Sequence, residues 1–421
     1  MGGTKVKLDE RGRAKYRPLK EYDPSLVKQL LLDKIAAEDD AIKALETDYE
    51  LPQLDYREDK INVISLFSGC GGLDLGVELA GLSAVIGEDE ASKAFKYKDT
   101  FDALRNVSIF HTIYSNDLFK EANESYKLNF PEVFQQSLDI RKVKTFPKAD
   151  LVLGGFPCPG FSEAGPRLID DERNFLYTHF IRCLLQAKPF AFIAENVKGM
   201  MTLGKGEVLN QIVQDFTSAG YTIKFKLVNS RDFGVPQIRE RVFIVGVRED
   251  LDFEYNHPEP THGEGKIPFL SLKDAIGDLE DHPGDWFTGG FSPIYLSRNR
   301  KKRWDEQSFT IQASGRQAPL HPSGPPMLKL EADKWELPGE EFMHRRLSVK
   351  EIARIQTFPD WFSFSDGGNL SVQKNNRLDK QYKQIGNAVP VLLAKAMAMP
   401  LATFAKENIA LIKEKRIEVV N

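Results

Sequence analysis

The reactive chemistry in this chain gathers first around one cysteine. The run Asp150-Leu151-Val152-Leu153-Gly154-Gly155-Phe156-Pro157-Cys158-Pro159-Gly160-Phe161-Ser162 sets Cys158 just past the carboxyl end of a buried strand, where open α/β sheets place their ligands. Two prolines and a glycine around a thiol are poor core packing and good site rigidity. The other cysteines, Cys70 and Cys183, read as small buried hydrophobes, the commoner fate of a free cysteine. Downstream, Phe192-Ile193-Ala194-Glu195-Asn196-Val197 ends a second strand with a carboxylate, so Cys158 and Glu195 can share one sheet edge. A nucleophile and an acid then converge.

A glycine-rich turn supplies the third element. Ile64-Ser65-Leu66-Phe67-Ser68-Gly69-Cys70-Gly71-Gly72-Leu73-Asp74-Leu75-Gly76 is a buried strand that breaks into glycines and opens a helix ending near Gly81. Such a turn lets backbone approach a ligand and leaves helix N-terminal N–H groups free, and by itself it suits a dinucleotide-binding dehydrogenase almost as well. A ribose-binding carboxylate is expected on the next strand. Gly87-Glu88-Asp89-Glu90 stands at the usual distance, but Thr112-Ile113-Tyr114-Ser115-Asn116-Asp117 is the better strand, which favours Asp117 and makes residues 83–111 an insertion. Asp139-Ile140 could face an adenine ring or form an ordinary turn. Gly199-Met200-Met201-Thr202-Leu203-Gly204-Lys205 imitates a P-loop, yet Gly206 stands where a Ser or Thr must bind magnesium, which argues against ATP hydrolysis.

The elements that must position these groups follow an α/β pattern. From residue 61, short apolar runs (Val63 to Phe67, Leu151 to Leu153, Ala191 to Ala194, Val242 to Val245) alternate with helical stretches such as Phe175 to Ala187 and Val208 to Ala219. The expected fold is a doubly wound, mostly parallel sheet with a smaller irregular domain. Residues 1–60 read as a partly helical extension, in which Asp23 caps and Pro24 starts a helix carrying Leu26, Val27, Leu30, Leu31 and Ile35. Residues 61–249 form the first domain, 250–344 a Pro-, Gly-, His- and Trp-scattered second one, and 345–421 a helical return.

Three cysteines without a Cys-x-x-Cys pair suggest neither a disulfide framework nor a metal site. No run of 18 apolar residues and no apolar N-terminal core stand in the chain, so a cytoplasmic protein away from any membrane is expected. The net charge of −4 argues mildly against nucleic acid, but it hides segregation. Residues 1–20 hold seven Lys/Arg against two acids, residues 33–59 ten acids against three bases, and Arg298-Asn299-Arg300-Lys301-Lys302-Arg303 is a separate basic run.

Taken with Gln237-Ile238-Arg239-Glu240-Arg241-Val242, Arg345-Arg346-Leu347-Ser348 and Gln384-Ile385-Gly386-Asn387-Ala388-Val389-Pro390, these motifs resemble the cytosine-C5 DNA methyltransferase family, in its order, over most of residues 61–400. The resemblance implies an S-adenosylmethionine-dependent Rossmann-like fold and the release of S-adenosylhomocysteine. It implies that Phe67, Gly69, Gly71, Gly72 and Asp117 hold the cofactor, that Asp139 and Ile140 contact its adenine, and that Leu176, Asn387 and Val389 complete the pocket, with no metal. Residues 250–344 become the target-recognition domain. One departure is Pro159, where many members carry glutamine.

For that chemistry, Cys158 supplies a thiolate to cytosine C6, Arg239 or Arg241 supplies positive charge, and Glu195 hydrogen-bonds N3. The base must leave the stack, so duplex DNA is the expected partner, touched by Ser162 and Arg173 on a closing loop and by Arg298, Arg300, Arg303, Gln312 and Arg316 in the recognition domain. The stretch from Thr310 to Gln317 is similar to that of members that methylate GGCC. A related branch methylates tRNA, but a recognition region of this length favours DNA. The compact architecture suggests a monomer in a bacterial restriction-modification setting, with a companion endonuclease acting on the same site.

Overall fold

A computed structural model describes residues 23–45, 51–157 and 176–420. Cys158, Ser162 and Arg173 lie outside these residues. Strands β1 (Ile61–Leu66), β2 (Phe110–Asn116), β3 (Phe134–Gln136), β4 (Leu151–Gly154), β5 (Ala191–Val197), β6 (Tyr221–Asn229) and β7 (Glu240–Arg248) make one sheet in the order 3-2-1-4-5-7-6. The first five strands run parallel, and β7 is antiparallel to both β5 and β6. The chain winds outward from β1 through β2 to β3, then returns to the other flank of β1 with β4. The carboxyl ends of β1 and β4 therefore border the switch point at which such sheets bind ligands.

The central strands are apolar throughout because both faces are covered. On one face Ile64, Leu66, Val152, Phe192, Ala194, Val242 and Ile244 join a single apolar cluster, and the residues between them, Val63, Leu151, Leu153, Ile193, Phe243 and Val245, join another. The first face is covered by helices α1 (Pro24–Lys43), α6 (Leu176–Ala187) and α8 (Glu207–Ser218). The second is covered by α2 (Gly72–Ile86) and the long C-terminal α12 (Val391–Val420). α12 lies in a stretch long and apolar enough to pass for a membrane span by composition, but its Leu393, Ala394, Met397, Ala398 and Leu401 are fully buried against the sheet.

One sequence expectation changes, the bounds of the insertion. Before residue 61 the expected helix is present: the Asp23 carboxylate accepts the Ser25 N–H at 2.7 Å as its N-cap, and Leu31, Ile35 and Ile42 are buried. The expected insertion begins later than residue 83, since α2 continues to Ile86. It then forms α3 (Glu88–Phe95) and α4 (Lys98–Leu104), fastened to the C-terminal segment where Phe95 and Phe101 pack on Trp361. The P-loop imitation forms the one-turn α7 (Gly199–Thr202) and a 3₁₀ turn. α5 (Lys120–Asn129) follows β2.

The second domain holds little regular structure beyond α9 (Leu272–Ile276) and the hairpin β8 (Leu328–Glu331) and β9 (Lys334–Glu336). It has a small apolar cluster of its own around Tyr295, Leu320 and Met327, and it shares a larger one. Leu272, Ile276, Phe287 and Ile311 share one cluster with Leu75 and Leu79 of α2, with Leu347, with Ile352 of α10 (Val349–Ile355) and with Tyr382 of α11 (Lys374–Asn387). A boundary at 344/345 would cut through residues that pack together.

Candidate active site

Sheet register lines up the site. Leu66 pairs with both Asn116 and Gly154, and Gly154 pairs with Ala194, so the next residues of four adjacent strands are Phe67, Asp117, Gly155 and Glu195. They border a cavity of about 700 Å³ whose wall also includes Ser68, Gly69, Gly72, Asp139, Ile140, Leu176, Arg239, Arg241, Asn387 and Val389. Of the expected cofactor residues only Gly71 is set back. It is the N-cap of α2 at φ +94°, and a Cβ there would lie 2.4 Å from the Phe130 ring.

The glycine turn is held from beneath. Asp117 accepts the Gly69 N–H at 2.9 Å and the Phe119 N–H at 2.7 Å, which ties the turn to the end of β2. Burial nevertheless holds the Asp117 carboxyl above its ordinary range. α2 starts with no side-chain cap, the condition under which a helix N-terminus receives an anion. Ser68 Oγ, in the cavity wall, is buried without a hydrogen-bond partner. Asp139 caps the 3₁₀ turn Ile140–Lys142, and Arg141 beside it lowers its pKa.

Glu195 is 8 % exposed, and its Oε1 lies 2.8 Å from Arg241 Nε. Burial raises the Glu195 pKa while Arg241 and Arg239 oppose the rise, and burial wins. Arg239, expected beside the thiol as a positive charge, lies in the cavity wall, while Cys158 itself is outside the described residues. Its guanidinium is fully buried and donates to the carbonyls of Ile311 (3.3 Å), Gly386 (2.9 Å) and Ala388 (3.1 Å), so it braces the recognition region against the last cavity segment. Burial lowers its pKa to about 9. Gln237 supports the same junction, accepting the Ile311 N–H at 2.9 Å and donating to Gln356 at 2.8 Å.

Sequence reasoning passed over Asn196. Its Nδ2 donates to the Phe156 carbonyl at 2.9 Å, anchoring the backbone two residues before Cys158 to the end of β5. Its place directly after Glu195 was the available signal. Lys383, also in the cavity wall, was missed because nothing in its neighbourhood marks it. Of the other two cysteines, burial pushes the Cys70 thiol up to about 12 and raises Cys183 further, so neither supplies a thiolate at neutral pH.

The basic run divides. Arg298 is exposed, and so is Arg303, which pairs with Asp305 at 3.0 Å. Arg300 is 5 % exposed, donates to the Tyr295 carbonyl and to Gln317 Oε1, and lies over the Tyr295 ring. The expectation that Arg300 contacts DNA is therefore corrected: it is an internal strut. Arg316 is exposed and Gln312 half-buried. Arg346 holds the region from the other side, donating to the carbonyls of Gly289 and Gly290.

Residues 61–402 match the family described as C-5 cytosine-specific DNA methylase. This chain belongs to that family. The methyltransferase is 67 % identical over 404 residues to the type II methyltransferase M.BsuRI of Bacillus subtilis, spanning 95 % of this chain and 93 % of that one. It is 60 % identical over 405 residues to M.BspRI of Lysinibacillus sphaericus, with 96 % of each chain covered. Among solved structures it resembles DNMT2 of Spodoptera frugiperda with a TM-score of 0.55 at 18 % identity, covering 81 % of this chain and all of the other, a likeness of fold. The activity is DNA cytosine-5 methylation, and the residues gathered at the switch point are the ones from which that activity has to be built.

Proposed function

We propose that this enzyme is the modification partner of a bacterial restriction-modification pair, acting as a cytoplasmic monomer on cytosine in duplex GGCC, with Cys158 as nucleophile. The observation that carries the setting is the near full-length identity to two type II methyltransferases. The target rests on the similarity of residues 310–317 to those of GGCC-methylating members.

The cavity residues fit S-adenosylmethionine. The uncapped start of α2 and the unpartnered Ser68 hydroxyl suit its carboxylate, Asp117 its ribose, and Asp139 with Ile140 its adenine. When bound, it supplies an electrophilic methyl group. Cytosine C5 becomes nucleophilic when the Cys158 thiolate adds to C6 and the electron pair moves to C5 as an enamine. Glu195, whose pKa burial raises, is placed to hydrogen-bond N3 and neutralise the charge arriving there, while Arg241 orients it. After methylation, loss of the C5 proton to a base returns electrons to the ring and expels the thiolate.

The test is methyl transfer from labelled S-adenosylmethionine to duplex DNA and to tRNA, with wild type and Cys158→Ser, followed by bisulfite sequencing. Label on the cytosines of GGCC, lost in the variant, is the expected result. Label on another motif overturns the target, and label on tRNA alone overturns the substrate.

A further inference from the structure

Helix α1 lies before residue 61, where the family match begins, yet it reaches the cofactor cavity through two side chains. Leu31 and Ile35 fix it in the cluster that contains Tyr177 and Phe180 of α6. One turn on, Asp39 Oδ1 lies 3.2 Å from Arg182 Nη1 and accepts Gln186 Nε2 at 2.8 Å. Arg182 is 1 % exposed, and its Nη2 donates to the carbonyls of Ile140 (3.1 Å) and Val143 (2.6 Å). Gln186 Oε1 accepts the Phe146 N–H at 2.9 Å. The stretch from Ile140 to Phe146 has no regular structure beyond one 3₁₀ turn; Ile140, Val143 and Phe146 bury their side chains, Arg182 and Gln186 take up its backbone groups, and Asp39 orients both. Its first residue, Ile140, is cavity wall.

We propose that Asp39 is a positioning residue for the nucleoside end of the cofactor pocket, and that the N-terminal extension works as an outer brace of that pocket. This rests on the reading that the cavity takes S-adenosylmethionine. Without the Asp39 carboxylate, the buried Arg182 guanidinium loses its hydrogen-bonded counter-charge, keeps only the weaker pull of Glu38 and reorients, and the Ile140 carbonyl moves with it. The extension is also shared where it would need to be: 95 % and 96 % of this chain is matched by the two relatives above, too large a share to leave out its first 60 residues.

The experiment is calorimetric binding of S-adenosylhomocysteine to the full-length protein, with steady-state kinetics and thermal melting on the same samples. Asp39→Asn should raise Kd by about fivefold or more, the scale of coupling expected through a packed network, while KM for DNA stays within about twofold. Asp39→Glu should recover most of the affinity. Leu31→Ala, which removes packing but leaves the Asp39 contacts, should lower Tm and keep Kd within about twofold of wild type. Wild-type affinity in Asp39→Asn, or equal loss of affinity in Leu31→Ala, overturns the proposal alone. Failure of the wild type to bind overturns the cofactor reading, and the proposal with it.

Discussion

In the proposed chemistry Glu195 and Cys158 need opposite protonation states, and burial supplies the bias for Glu195. Burial raises the Glu195 pKa against the pull of Arg241, which favours the protonated acid, whereas a thiol must lose its proton to react. The pH profile of kcat should be bell-shaped: it rises as Cys158 ionises and falls as Glu195 gives up its proton. Glu195→Gln keeps a hydrogen-bond donor at that place but cannot transfer a proton. It should lower kcat by about 10²- to 10³-fold, flatten the alkaline fall, and leave S-adenosylhomocysteine affinity unchanged. Single-turnover kinetics across pH decide this, and an alkaline fall that persists in the variant would assign it to another group. The residues of this chemistry were legible in the sequence because cysteine between prolines and carboxylate at a strand end are unusual side chains in unusual places. The bracing contacts of Arg239 were not foreseen and Arg300 was misplaced, because an arginine reads the same whether it binds a phosphate or a buried carbonyl.

Among the elements, β1, β4, β5 and β7 were readable as continuous apolar runs, since both of their faces are covered. β6 escaped notice. It is an edge strand whose Lys224 and Lys226 break the apolar pattern while protecting the edge from pairing. Helix α8 carries a buried acid with a measurable consequence. Asp215 accepts Tyr177 Oη at 2.9 Å and Gln211 Nε2 at 2.7 Å, yet burial raises its pKa from 3.8 to about 7. Between those values the folded chain holds a proton that the unfolded chain has released. Stability contributed by this group is therefore complete below pH 3.8 and is lost as pH rises toward 7, at no more than about 1.4 kcal/mol per pH unit. Asp215→Asn keeps the neutral hydrogen-bonding shape and should reduce that slope in urea titrations at pH 4 to 7. An unchanged slope would assign it to Asp74 or Glu78, the other buried acids raised in this range.

Across the whole molecule, the last segment must come back over a long sequence separation to close the cavity. Asn387 and Val389 reach the glycine turn because α12 packs directly on α2, and Gly76 permits the approach: a Cβ there would lie 2.4 Å from the Val391 carbonyl oxygen and from Ala394 Cβ. Gly76→Ala should cost about 1–3 kcal/mol of stability and weaken S-adenosylhomocysteine binding together, read by melting and calorimetry. Loss of stability with unaltered binding would show that the cavity tolerates a shifted α12. The sequence by itself determined the central strands, the candidates for nucleophile and acid and the order of the motifs, because local spacing encodes strand ends, caps and tight turns. Only the tertiary structure decided that Arg239 braces, that Arg300 is internal, that α1 packs on α6 and that residues 250–344 share an apolar cluster with α2, α10 and α11. Those facts depend on which buried partner a side chain meets, and that partner stands from five residues away, as for Arg300, to well over a hundred, as for Arg239 and Arg182.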